Sequence, residues 1–393
     1  MVSYFLGVFM IYNSNTRQLY NRLEVAKRLL SNSKNLDERV CLSNYIGNVY
    51  SAIDAVSNNG VSTNKKKMFG SHKNYKKFLK KIDIYELKML ENFVLHKDFH
   101  STYMYDILSG VEFNFSELED EELANTTLLS SGEFYGIFYD FMKSINLENI
   151  FNDFIKQGRI YRAVNSDDDY LLGFTLFNPI NHDSNVFVKD FNYNIHTMYT
   201  LAHEFGHVYD LSKFDESVVK YNRFFYQSFY GEVISKLFER LFLQYLIDHN
   251  ILLEEAQDKL FEMQVINNDF LLSSYILSLL DDESIVSNAY CYMSKDELFN
   301  KVKANFVTED AVYDYIINST DLDIHQSYLY TYGDIISMFL KNIVKNEGLS
   351  ASIVNDFLSI RSDLFSDEVL KKWEMSAENY NDLHKKEMQM IKK

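Results

Sequence analysis

YTLAHEFGHVYDL, residues Tyr199 to Leu211, carries two histidines four apart, a glutamate directly after the first, and apolar residues on both flanks. Residues four apart on an α-helix share one face, a turn from each other. His203 and His207 can therefore aim two imidazoles at one cation. Glu204 stands one position round from His203, beside such an ion rather than on it. There a carboxylate can take a proton from a zinc-bound water, which is the physical content of the H-E-x-x-H pattern. Phe205 and Val208 are placed to face a core, and Gly206 permits close approach by a neighbouring backbone. The same five residues are also compatible with an amphipathic helix that merely carries two imidazoles, so the rest of the chain has to decide.

That chain has 393 residues, 47% of them hydrophobic, enough to bury a large core. It holds 1 Pro and 13 Gly, so strong breakers are scarce and long helices are favoured over a strand-and-turn architecture. Its 29 Tyr and 31 Phe read as core filler rather than as an aromatic binding surface. A formal net charge of -17 argues against a nucleic-acid partner, which requires a basic surface. The one basic run, Asn64 to Lys81, reads as a solvated loop leading into a helix. Cys41 and Cys291 are far apart and read as buried thiols in a reducing compartment. The apolar opening, Met1 to Tyr12, has no basic leader or small-residue cleavage site and is too short to span a bilayer. A buried first segment in a cytoplasmic protein, with no membrane partner, is the expectation.

From about Asn15 to Gln157 the chain reads as successive helices. TRQLYNRLEVAKRLL, for example, places Leu19, Leu23, Ala26, Leu29 and Leu30 along one stripe. ERVCLSNYIGNVYSAIDAV and NYKKFLKKIDIYELKMLENFVL repeat the pattern. The character changes at Gly158. GRIYRAVNSDDDYLLGFTLFNPINHDSNVFVKDF is β-prone and broken by Asn, Asp and Gly clusters and by Pro179, which predicts a small hairpin or sheet. Helical periodicity resumes before His203 and continues to the end, through YGEVISKLFERLFLQYLI, LLEEAQDKLFEMQVI, DIISMFLKNIV and LKKWEMSAENYNDLHKKEMQM.

A catalytic zinc needs three protein ligands and one open position. The pattern H-E-x-x-H-x-x-G-x-x-H is not met, because Asp210 and Lys213 occupy the places of its Gly and last His. The other source is a carboxylate on a following helix. FYGEVISKLFERLF offers Glu232, 25 residues after His207 (232 − 207 = 25), with Ser235 and Glu239 on the same helical face.

Glu-x-x-Ser-x-x-x-Glu at this distance from the second histidine resembles the thimet oligopeptidase and oligoendopeptidase F family of zinc metallopeptidases. TMYTLAHEFGHVYD is similar to that family's active-site helix, including Thr200, Leu201, Ala202 and Gly206. The resemblance implies that His203, His207 and Glu232 bind one Zn2+ and that Glu204 is the general base. Glu239 or Ser235 would steady an imidazole from behind. HQSYLYTYGDIISMFL, from His325 to Leu340, resembles the family's tyrosine-rich segment, in which a phenol donates to the oxyanion. That implies Tyr330 as donor, with Tyr328 and His325 as neighbours. Ser327 replaces the family's leading aromatic, and His325 lies closer to the tyrosines than the family histidine.

In that family an extended edge strand precedes the zinc helix and pairs with substrate backbone. Asn185 to Asn194 is placed to be that strand, and Tyr170 to Phe177 its hairpin partner. The resemblance runs from about Tyr170 to Leu340. It implies a mostly α-helical metallopeptidase of two lobes around a deep cleft, with a small β-sheet next to the zinc helix. Residues 1–157 would form an N-terminal helical lobe and 158–393 the zinc-binding catalytic lobe of one integrated unit. The implied activity is hydrolysis of oligopeptides. A zinc protease of another type acting on one protein substrate, and a helical zinc- or peptide-binding protein without turnover, remain open.

Overall fold

In the computed structural model, residues 16–34, 36–56, 102–112, 126–163, 172–178, 181, 183–213, 230–278, 321–360 and 368–391 are described. Five helices come first: α1 (Thr16–Asn32), α2 (Leu36–Val56), α3 (Thr102–Ser109), α4 (Ser131–Ser144) and α5 (Glu148–Gln157). Strands β1 (Ile160–Ala163), β2 (Gly173–Asn178) and β3 (Asp183–Lys189) follow. The remainder is helical again: α6 (Ile195–Ser212), α7 (Val233–Asp248), α8 (Leu253–Ser278) and α9 (Asp321–Glu347), then α10 (Ser352–Ile360), α11 (Glu368–Lys372) and α12 (Ala377–Ile391). The described chain is thus mostly helical with one small sheet. Among the described residues no helix is long and apolar enough to cross a membrane. Met1 to Tyr12, the basic run, the segment from Asn74 to Leu95 and Cys291 lie outside the described residues, as does the side chain of Cys41.

Local chemistry accounts for the punctuation. Ser130 caps α4 by accepting from the backbone N–H of Glu133, whose side chain reaches back in turn, a reciprocal capping box. Gly158 ends α5 in the left-handed region, φ 59°, where a Cβ would be strained, and β1 begins two residues later. The last stretch, periodic enough to read as one helix, is divided between α11 and α12. Glu374 takes φ 50°, and Ser376 restarts the helix by accepting from the N–H of Asn379 at 3.2 Å.

The sheet order is β1-β3-β2. β2 and β3 form the expected antiparallel hairpin, with Gly173 opposite Val188 and Asn178 opposite Asp183. β1 lies parallel on the other side, with Ile160 opposite Val186. β3 is therefore the central strand, and the expectation of a free edge at Asn185 to Asn194 is corrected. Both of its hydrogen-bonding sides are taken, and among the described residues β2 is the terminal strand on the hairpin side. The strand's near-continuous burial, Ser184 to Val188, is the mark of an interior position.

The two faces of the sheet are covered by different helices. Phe174, Leu176, Tyr161 and Phe187 face α1 and α2, where Leu19, Leu23 and Ala26 of the α1 stripe are fully or almost fully buried. On that face Phe174 and Phe187 stack at 4.4 Å, and Tyr161 and Phe187 at 4.8 Å. Ile160, Val186 and Val188 join the larger core with α4 to α9. Helix α7 runs through that core, buried from Val233 to Leu243, as expected of a helix surrounded by others.

Candidate metal centre

Helix α6 is held at both its start and its middle. Asn194 accepts from the N–H of Thr197 at 3.0 Å and closes the first turn. Phe205 then enters a cluster of rings, 5.0 Å from Phe154, 5.6 Å from Phe138 and 5.7 Å from Phe151. With Phe205 and Val208 buried, His203 and His207 are turned to the half-buried side. Gly206 lies on α7 itself: a Cβ there would stand 2.5 Å from Cα of Ser235 and 2.8 Å from the carbonyl oxygen of Ile234. Only a glycine permits this approach, and it brings the start of α7 onto the two histidines. From the other side Gly333 of α9 packs on Glu232, where a Cβ would meet the glutamate's own Cβ at 3.0 Å.

Glu232 is the N-cap of α7 rather than a residue within it, and its side chain does not cap the helix. The carboxylate is turned to α6 instead. Its Oε2 lies 3.4 Å from Nε2 of His203 and 3.4 Å from Nε2 of His207, and the two Nε2 atoms are 3.2 Å apart. These three atoms form a nearly equilateral triangle. A tetrahedral zinc with bonds of about 2.0–2.1 Å requires ligand atoms about 3.3–3.4 Å apart. The residues present therefore fit a zinc ion in both donor type and spacing. The three also form the one cluster among the described residues that brings histidine and acidic ligand atoms together for a metal.

The groups behind the triangle set its donor atoms. Nδ1 of His203 lies 2.6 Å from Oε1 of Glu239. An ionised carboxylate only accepts, so Nδ1 carries a proton and Nε2 is the nitrogen that faces the triangle. Ser235 donates to Oε2 of Glu232 at 2.7 Å. Of the two groups expected to steady an imidazole, Glu239 does so, whereas Ser235 serves the carboxylate. Nζ of Lys236 lies 3.2 Å from Oε2 of Glu239, and both are buried. Burial works against a charged Glu239, but Lys236 and His203 outweigh it and hold its carboxyl down at about 2. Burial likewise opposes charge on Glu232, yet His207, His203 and the Ser235 hydroxyl keep its carboxyl well below the usual range. His207 is the counterpart. Burial disfavours its imidazolium, and Glu232, followed by Glu204 and Asp210, overrides this and raises it to about 9.

Glu204 is built differently. Burial pushes its carboxyl upward, and the opposing pull of His203, His207 and Thr175 does not cancel that push. A carboxylate made more basic in this way is suited to accepting a proton. Its Oε2 accepts from the Thr175 hydroxyl at 2.7 Å, so the side chain is turned to β2 and not into the triangle.

Tyr330 lies on α9. Its ring stacks on Phe270 of α8 at 4.6 Å and 14°, with the Lys236 ammonium 5.1 Å from its centroid. Burial raises the phenol well above its ordinary value, and Glu232, Glu239 and Glu204 push the same way, so the hydroxyl stays protonated and able to donate. His325 falls near the start of α9, and its side chain, like that of Tyr328, lies outside the described residues.

Gly173, Thr175 and Lys236 belong to none of the sequence motifs. The first two were legible in principle, since residues two apart on a strand share a face. Lys236 stands one helical step, three residues, before Glu239, but its burial comes from α7 being enclosed by other helices. Compared with protein-family models, with curated proteins and with solved structures, the chain has no match.

Proposed function

We propose that the chain is a zinc-dependent metallopeptidase that hydrolyses peptide bonds in oligopeptides. The observation that carries this is the triangle of His203, His207 and Glu232 at tetrahedral spacing, with a buried Glu204, its carboxyl raised by burial, one residue from the first ligand position. A zinc ion held by these three residues would supply Lewis acidity, polarising the scissile carbonyl and lowering the pKa of water at the open position. Glu204 takes a proton from the attacking water on its carboxylate and returns it to the departing amine nitrogen. Tyr330 donates its hydroxyl proton in a hydrogen bond to the oxygen on which negative charge develops. Glu239 keeps His203 in its working tautomer, and Lys236 neutralises Glu239.

Peptide recognition follows from the sheet. Among the described residues β2 is a terminal strand beside α6, and an extended peptide adding to its outer side would pair main chain to main chain without reading sequence. In this reading the chain is one catalytic unit, because α4 and α5 share the core of the zinc helix, and the peptide lies along β2 and α6.

The decisive experiment combines metal analysis with digestion of quenched peptides by the wild type, Glu204→Gln and Glu232→Ala. We expect one zinc per chain in the wild type and in Glu204→Gln, and little in Glu232→Ala. Cleavage should fall about 10²–10⁴-fold in Glu204→Gln. Equal turnover by the wild type and Glu204→Gln would point instead to a zinc-holding protein without catalysis. Stoichiometric zinc at unchanged affinity in Glu232→Ala would refute the third ligand. Comparing a ten-residue peptide with unfolded casein separates an oligopeptidase from a protease with a protein substrate.

A further inference from the structure

A carboxylate that shuttles a proton works best with one oxygen held and the other free. Resting on the peptidase reading above, we propose that β2 divides the two oxygens of Glu204: Thr175 anchors Oε2 and leaves Oε1 to exchange the proton, and Gly173 lets the strand lie close enough to Glu204 for that contact. Thr175 is thereby a positioning residue for the base, placed by the sheet and not by the zinc helix.

Thr175 Oγ1 lies 2.7 Å from Oε2 of Glu204 and 3.1 Å from the main-chain oxygen of the same residue. A hydroxyl has one proton to donate. The nearer, ionisable oxygen is the stronger acceptor, so the proton goes to Oε2. Gly173, two residues earlier on the same face of β2, faces the other oxygen. A Cβ there would stand 2.9 Å from Oε1, 2.8 Å from Cγ2 of Thr200 and 3.0 Å from the carbonyl oxygen of Phe187. Any side chain there would push β2 away from Glu204 and pull Thr175 Oγ1 off Oε2.

Register fixes both residues. Gly173 pairs with Val188 and Thr175 with Val186, while Phe174 between them stacks on Phe187 across the opposite face. Slipping the pairing by one residue would turn Phe174 toward Glu204 and Thr175 away from it. The branched Thr side chain is also restricted about χ1, so the donor is held before substrate arrives.

The proton balance is simple. The attacking water gives one proton to Oε1 as its oxygen bonds to the carbonyl carbon. Oε1 then passes that proton to the amine nitrogen as the carbon–nitrogen bond breaks. The Thr175 proton remains on Oγ1 throughout, so only the orientation of Glu204 depends on it.

Thr175→Val keeps the shape and removes the donor. We expect kcat to fall about 10–100-fold, the range seen when a partner behind a metal-site residue is removed, with KM and zinc stoichiometry unchanged. Thr175→Ser should restore most of the loss, Thr175→Ala should repeat the Val result, and Gly173→Ala should also lower kcat while retaining zinc. A wild-type kcat in Thr175→Val or Thr175→Ala, or no recovery in Thr175→Ser, overturns the inference and leaves the peptidase reading standing. If the wild type cleaves no peptide, the peptidase reading fails instead. The contact is then tested by thermal unfolding of Thr175→Val, Glu204→Ala and the double variant. Melting-temperature losses that are fully additive would show that the two side chains do not interact.

Discussion

Replacing Gly206 with alanine adds one methyl group where α6 crosses the start of α7, and the structure says what that methyl would meet. It would stand 2.5 Å from Cα of Ser235, 2.8 Å from the carbonyl oxygen of Ile234 and 2.9 Å from the amide nitrogen of Ser235. All three are main-chain atoms, which no rotamer change can move aside. Carbon atoms in contact sit about 3.5–4.0 Å apart, so α7 must withdraw by roughly 1 Å at the crossing. Glu232 immediately precedes this turn. Its Oε2 now lies 3.4 Å from both histidine Nε2 atoms, and the same withdrawal would take it beyond the spacing a tetrahedral ion requires.

The cost to folding should be modest. Overpacking costs about 1–3 kcal/mol, and alanine recovers up to ~1 kcal/mol of helix propensity over glycine. The cost to metal binding should be much larger. Removing a partner behind a ligand already costs about 10–100-fold, and displacing a ligand itself should cost on the order of 100-fold or more. That corresponds to a loss of about 2.7 kcal/mol or more in binding free energy. Competition of the purified variant against a zinc chelator measures the affinity, and circular dichroism on heating measures the fold. A Gly206→Ala protein that melts cooperatively and holds zinc with wild-type affinity would refute the idea that helix proximity at this glycine builds the site.

Three further expectations follow from the groups behind the site and from the core. Glu239→Gln should weaken zinc binding about 10–100-fold, because it removes the charge that fixes His203 Nδ1–H and leaves Lys236 without its partner; unchanged affinity by chelator competition would refute this. Zinc binding should release a proton, because His207 is raised to about 9 in the ion-free protein. Affinity should then climb with pH up to that value and level off above it, as titration calorimetry in buffers of different ionisation enthalpy can establish. The third concerns Arg240, which is fully buried and bonded to Asp334, Glu387 and Ser337. Arg240→Met should cost about 3–5 kcal/mol in denaturant unfolding by stranding these carboxylates. Burial opposes the charge on Glu387, but Arg240 and Lys341 hold its carboxyl at about 2. A carboxyl depressed in the folded state stabilises above its ordinary value of 4.5 and ceases to do so as pH falls toward 2. The wild type should therefore lose stability across that window more steeply than the variant.

Local rules made much of this legible in advance. The scarcity of proline and glycine foretold helices, and the stripe of Leu19, Leu23 and Ala26 foretold which side of α1 is buried. The four-residue step from His203 to His207 is a property of one helix, and Gly158 announced the end of another. The hairpin of β2 and β3 was visible as two apolar runs around Pro179. A resemblance in spacing singled out Glu232, although nothing local to it could show that it turns its carboxylate to α6 instead of capping α7.

Tertiary structure decided the remainder. Strand order is invisible to alternation along a chain, so the central place of β3 emerged only once β1 had packed parallel against it. The contacts of Arg240 with Ser337 and Asp334 and of Thr175 with Glu204 likewise join elements whose separation no periodicity encodes. A pattern of residues prescribes which side chains share a face and what chemistry each can perform. Whether three such atoms from two elements meet within a few ångströms depends on how closely the backbones cross, and at Gly206 that closeness is allowed by the absence of a side chain.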